Sequence, residues 1–108
     1  MEHTIKSENG VMTVYLRGEM DHHNAARLRE QIDAALTFEN PAVLRLDLSE
    51  IAFCDSSGLG FIMGRYRRME SAGGSMILVN PSEPTMRILR LAGVDSIINV
   101  EYTKGAAK

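Results

Sequence analysis

Residues 53–60 read Phe-Cys-Asp-Ser-Ser-Gly-Leu-Gly. An aspartate, two hydroxyls and a glycine in succession, Asp55-Ser56-Ser57-Gly58, can do three kinds of chemistry. Their oxygens can accept from the free N–H groups at the start of a helix. A serine can attack as a nucleophile if a base and an oxyanion hole stand beside it. A serine can also receive a phosphate, which brings roughly 1.5 to 2 negative charges. Capping and phosphorylation are compatible, because a helix N-terminus favours an anion. The dipole contributes about 0.3–1 kcal/mol to such a charge, so the fold tolerates it. A docked partner does not, since burying an unpaired charge costs several kcal/mol and each ~1.4 kcal/mol is tenfold in affinity. Asp21 and Asp55 would sharpen the effect by adding repulsion near Ser56.

The other chemically suggestive groups are weaker. Asp21-His22-His23 matches the Asp-His-His signature of some phosphoesterases, but two metals need more ligands than the remaining His3 supplies. The tripeptide therefore reads as a loop and helix start, with no metal and no cofactor. A serine hydrolase is the sharpest enzyme alternative for Ser56. The stretch is not a Gly-x-Ser-x-Gly elbow, and nothing in the sequence places His22 or His23 beside the hydroxyl. Gly58, Gly60 and Gly64 form no P-loop, since no Gly-Lys-Ser/Thr follows them; they permit close helix packing or the approach of a partner. Arg65, Arg67 and Arg68 read as the solvated side of a helix and a small basic patch. Among the seven methionines, Met12, Met63 and Met86 read as core, whereas Met20 and Met69 are candidates for exposure.

Elements must hold these residues in place. Asn9-Gly10 predicts a tight hairpin with arms at 3–8 and 11–17, since both central residues of a type I′ turn need positive φ. Met12, Val14 and Leu16 alternate with polar neighbours, so the second arm buries one face. Gly18 is expected to end it. From Asn24 the period lengthens: Ala25, Leu28, Ile32, Ala35 and Leu36 predict an amphipathic helix of about 13 residues, capped by Asn24 or a neighbour. Asn40-Pro41 stops it. Residues 43–48 alternate as a strand. Leu59, Ile62, Met63, Tyr66 and Met69 predict a second helix over 57–71, capped by Asp55, Ser56 or Ser57 and stopped by Gly73-Gly74. A strand over 75–80 follows. A third helix then buries Met86, Leu89 and the stem of Arg90, with Gly93 as its C-terminal cap. Residues 96–102 form the last strand and 103–108 a flexible tail.

The order β-β-α-β-α-β-α-β predicts an α/β fold with a single mixed sheet. An N-terminal hairpin leads into parallel strands with right-handed crossovers. Clean alternation places the helices mainly on one face. The chain has 108 residues, 44% hydrophobic, and one cysteine. That fits one domain over 1–108, able to bury roughly two-thirds of its unfolded surface without disulfides. The net charge of −2 has interspersed signs, which gives no footprint for direct nucleic-acid binding. No apolar run nears the roughly 18 residues of a membrane span, and the first residues lack a signal-peptide pattern. The expected location is the cytoplasm and the expected state a monomer.

Gly18 to Ala25, "GEMDHHNA", and Phe53 to Met69, "FCDSSGLGFIMGRYRRM", resemble the STAS domain of anti-sigma-factor antagonists, closest to those of the sporulation sigma factor F. The resemblance runs from the hairpin to the last helix. It implies that the unphosphorylated chain binds an anti-sigma factor that is also a serine kinase, and so frees the sigma factor for transcription. It implies phosphorylation at Ser56, loss of binding, and restoration by a serine phosphatase. Asp55, Ser57 and Gly58 match the motif around the acceptor, and Asp21 matches the aspartate of "GE-x-D". Cys54 falls at a variable position, and the C-terminal helix common in this family is expected to be short or missing. A STAS module of a stress-response complex, with a different kinase, is the alternative. A STAS domain from an anion transporter is disfavoured by Met1 and the lack of a membrane segment.

Overall fold

A computed structural model describes residues 2–103, except the side chain of Phe53. The hairpin is as the sequence predicts. β1 (Glu2–Glu8) and β2 (Val11–Met20) pair antiparallel with Glu8 opposite Val11. Asn9 and Gly10 take φ of 53° and 79°, as a type I′ turn requires. α1 (His22–Glu39), β3 (Val43–Cys54), α2 (Ser56–Ser71), β4 (Ser75–Val79), α3 (Glu83–Leu91), a 3-10 turn (Val94–Ser96) and β5 (Asn99–Glu101) follow. The sheet order is β1-β2-β3-β4-β5, with β2 to β5 all parallel. Each crossover therefore steps to the adjacent strand in the same direction. Right-handed connections of that kind put all three helices on one face.

That face is the core. Met12, Val14 and Leu16 of β2, Leu44, Leu46 and Leu48 of β3 and Leu78 of β4 are buried there. They meet Leu28 and Ile32 of α1, Ile62 of α2 and Leu89 of α3 in one cluster. The opposite face carries Tyr15 with Lys6 Nζ 5.7 Å from its ring centroid, and an Arg45–Glu101 ion pair at 3.8 Å. Asp47 on this face is buried, and its Oδ1 accepts from the Ser49 N–H and hydroxyl.

Several boundaries differ from the sequence expectation. Gly18 does not end β2; it adopts φ 113° beside a register shift, and pairing continues to Met20. β3 likewise runs on to Cys54. A register shift between Tyr15–Asp47 and Arg17–Glu50 moves the buried positions from Leu46 and Leu48 to Ile51 and Cys54, which breaks the alternation that a sequence reading follows. α1 begins at His22 and has 18 residues, with Asp21 rather than Asn24 as its cap. Met20 and Met69 are both buried, not exposed. Arg90 lies outside, paired with Glu83, and Thr85 takes the inner place instead. β5 is only three residues long because the 3-10 turn claims Ser96.

Thr103 is not free. Its N–H donates to Asn80 Oδ1 at 2.8 Å, and Asn80 Nδ2 donates to its hydroxyl at 2.9 Å. The rest of the expected tail, and the question of a C-terminal helix, concern residues 104–108 and lie outside the described residues. No helix among the described residues is long and apolar enough to cross a membrane.

Candidate functional site

β2 and β3 end together. Met20 pairs with Cys54, so the next residues, Asp21 and Asp55, leave the sheet side by side. Each then caps a helix in the same way. Asp21 has φ −105° and ψ −177°, and its Oδ1 accepts from the Asn24 N–H at 3.0 Å. Asp55 has φ −108° and ψ −165°, and its Oδ1 accepts from the Ser57 and Gly58 N–H groups at 2.8 and 3.1 Å. Each aspartate carbonyl also accepts the first intrahelical bond, from Ala25 and from Leu59. The sheet edge thus presents two helix N-termini and two carboxylates at once.

Ser56 is the first residue of α2 and is exposed. Its neighbour Asp55 already holds two of the free N–H groups of the first turn, so the Ser56 hydroxyl is not needed as the cap. Ser57 is half-buried and lines a groove of about 300 Å³ between α1 and α2, with His22, Arg29, Gly60 and Phe61. Gly58 is buried against the ends of the strands. A Cβ there would lie 2.6 Å from Cys54 Sγ and 3.0 Å from both Met20 Cγ and Met20 O. Gly58 is what lets the first turn of α2 sit down on β2 and β3, a reason that the motif alone does not disclose.

The Cys54 thiol is buried and donates to the Asp55 carbonyl at 3.7 Å. Burial first, and the Asp55 charge second, push its pKa up to about 11. A protonated, enclosed thiol is a packing group, not a nucleophile. His22 and His23 meet edge to face at 5.9 Å on the first turn of α1. Among the described residues no hydrogen bond joins either histidine to Ser56, and no three His, Cys, Asp or Glu side chains converge as metal ligands.

The basic patch divides. Arg67 is exposed and Arg68 partly so, as a wet helix face requires. Arg65 is not on that face: it is buried between α1 and α2, 2.9 Å from Asp33 and 5.1 Å from the Phe61 ring centroid. A signal was available. Arg65 stands four residues after Phe61 and four before Met69, on the buried stripe of α2.

The five residues Asp21, Asp55, Ser56, Ser57 and Gly58 are therefore gathered at one edge, the two aspartates as paired helix caps and the others by the first turn of α2. The STAS domain family matches residues 3–107 of the chain. The anti-sigma F factor antagonist of Paenibacillus polymyxa is 37% identical over 100 residues, which are 93% of this chain and 82% of that protein. The structure of the anti-sigma factor antagonist SpoIIAA in its unphosphorylated form superposes with a TM-score of 0.82 at 26% identity, over 95% of this chain and 90% of that one. The Bacillus cell fate determinant SpoIIAA in its phosphorylated form gives 0.74 at 26% identity, over 95% and 93%.

Proposed function

Because this chain belongs to the STAS-domain family, we propose that it is an anti-sigma-factor antagonist whose binding is switched off by phosphate on Ser56. The unphosphorylated chain binds an anti-sigma factor in the cytoplasm and frees the sigma factor. The anti-sigma factor is itself the serine kinase, and a serine phosphatase reverses its action. The relative from Paenibacillus polymyxa and the SpoIIAA structures, one of them phosphorylated, support this reading.

One observation carries the proposal: Ser56 is an exposed hydroxyl on the first residue of a helix whose cap is supplied by another residue. Exposure gives a kinase access. The satisfied cap means that modifying Ser56 removes no hydrogen bond of the fold. The phosphate gains from the helix dipole, about 0.3–1 kcal/mol, and stays in water. It also stands next to the Asp55 carboxylate and near the end of β2 that carries Asp21, so the edge changes from two negative charges to roughly four. A partner that covers this edge must desolvate all of them. A cost of several kcal/mol corresponds to a loss of affinity of about a hundredfold or more.

The test is a pair of substitutions. Ser56→Ala should bind the anti-sigma factor as the original chain does and resist inactivation by ATP. Ser56→Asp should bind it markedly less well. Equal binding by Ser56→Asp would sink the charge argument. Labelling of Ser56 by a fluorophosphonate would instead point to hydrolase chemistry.

A further inference from the structure

A second groove lies about two turns along α2 from Ser56, between the later halves of α1 and α2. Its volume is about 620 Å³, and Asp33, Thr37, Gly64, Arg65, Arg67 and Arg68 contribute to its lining. That volume is in the range of small-molecule sites. Its charge is unbalanced, with three guanidinium groups to one carboxylate. Arg29 adds a fourth cation nearby. The Arg65 pKa is lowered chiefly by burial and further by Arg29, Arg68 and Arg67, while Asp33 opposes the shift.

The groups satisfy one another only in part. The Arg65 side chain is only 7% exposed. Its Nε is in ion-pair contact with Asp33 Oδ1 at 2.9 Å, and among the described residues Nε, Nη1 and that Asp33 oxygen are all buried without a well-aligned hydrogen bond. Asp33 is shared, since Arg68 Nε is 4.0 Å from the same oxygen. Arg68 also donates to the Thr37 hydroxyl. Arg67 enters no ion pair among the described residues. Cations near the C-terminal ends of helices do offset the dipole, but each end carries only about half a charge. Two such ends leave a net positive groove. Buried donors in native structures find partners.

We propose that this groove is a binding site for a small organic oxyanion, a phosphate or carboxylate group held by Arg65, Arg67 and Arg68. The guanidinium fork suits two oxygens of one planar or tetrahedral anion. An oxygen in the groove accepts from the more exposed Arg67 and Arg68 and neutralises the surplus charge, and the buried Arg65 Nη1 reaches it when that guanidinium turns outward. Gly64 leaves room for the rest of the ligand, because nothing lies within 4 Å of the place its Cβ would occupy.

The test is a titration of the whole chain, followed by backbone amide shifts, with inorganic phosphate, phenyl phosphate and benzoate at ionic strength held constant by sodium chloride. Saturable shifts at Thr37, Gly64, Arg67 and Ser71 are expected, tighter for an organic anion than for inorganic phosphate. Which organic probe saturates identifies the preferred oxyanion. Arg67→Gln with Arg68→Gln, both at least partly exposed, should weaken binding about tenfold or more without loss of the fold. Arg65→Lys keeps the charge but not the fork, and should weaken it too. Shifts that track chloride equally, fail to saturate in the millimolar range, or survive the double substitution would overturn the proposal.

Discussion

At Gly58 a single methyl group decides how the first turn of α2 sits on the strands. In an open helix, replacing glycine by alanine gains up to about 1 kcal/mol. At Gly58 the new Cβ meets the Met20 carbonyl and the Cys54 sulfur inside contact distance. Gly58→Ala should therefore destabilise the fold by about 1–3 kcal/mol. Gly60→Ala, with nothing within 4 Å, should stabilise it by roughly 0.5–1 kcal/mol. Urea denaturation of the two variants reads the opposite signs. Asp55→Ala removes the cap of two N–H groups and should cost about 1 kcal/mol in the same assay. Cys54 gives a pH test. Its folded pKa of about 11 lies above the ordinary thiol value of 9.0. Its contribution is thus fully present below pH 9 and is lost as pH rises toward 11. The melting temperature should fall over that window, and a Cys54→Ala variant should show less of the fall. The sequence narrows the cap to Asp55, Ser56 or Ser57. It leaves the role of Gly58 hidden, because the atoms that crowd it come from the end of another strand.

Elements explain where the sequence reading stops. Periodicity carries α1 and α2 well, since Ala25, Leu28, Ile32 and Leu36 are buried as spaced. It fails in the second half of β3, where register shifts against β2 change the phase of burial. It also fails at Arg65, where residue type suggests water and position dictates the core. The buried Asp33–Arg65 pair joins α1 to α2, so each helix depends on the other. Asp33→Asn leaves Arg65 enclosed without its counter-charge. Because Asp33 itself is 31% exposed, the expected cost is about 2–3 kcal/mol, below that of a fully buried pair. The double variant Asp33→Leu with Arg65→Met should recover much of it in a thermal melt. If Asp33→Asn melted unchanged, the pair would hold nothing together.

For the whole molecule, the strand order is the main fact. Consecutive parallel neighbours, each reached through a helix that packs on the same core, gather the starts of α1 and α2 at one sheet edge. The succession of elements and their parallel pairing are legible in the hairpin turn, the alternation and the helical stripes, whereas the order of strands across the sheet comes from the structure. The convergence of Asp21 with Asp55 was legible only through the family motif, since the pairing of Met20 with Cys54 depends on bulges that alternation does not reveal. The proposed switch uses this edge: one exposed hydroxyl and two carboxylates.

The most direct measurement is to phosphorylate the chain to completion with the proposed anti-sigma kinase, map the phosphate by peptide mass spectrometry, and titrate both forms against the anti-sigma factor in a calorimeter. The result expected is one phosphate on Ser56 and an affinity lower by about a hundredfold or more. Phosphate on Ser57 or elsewhere, or equal affinity of the two forms, would contradict the account.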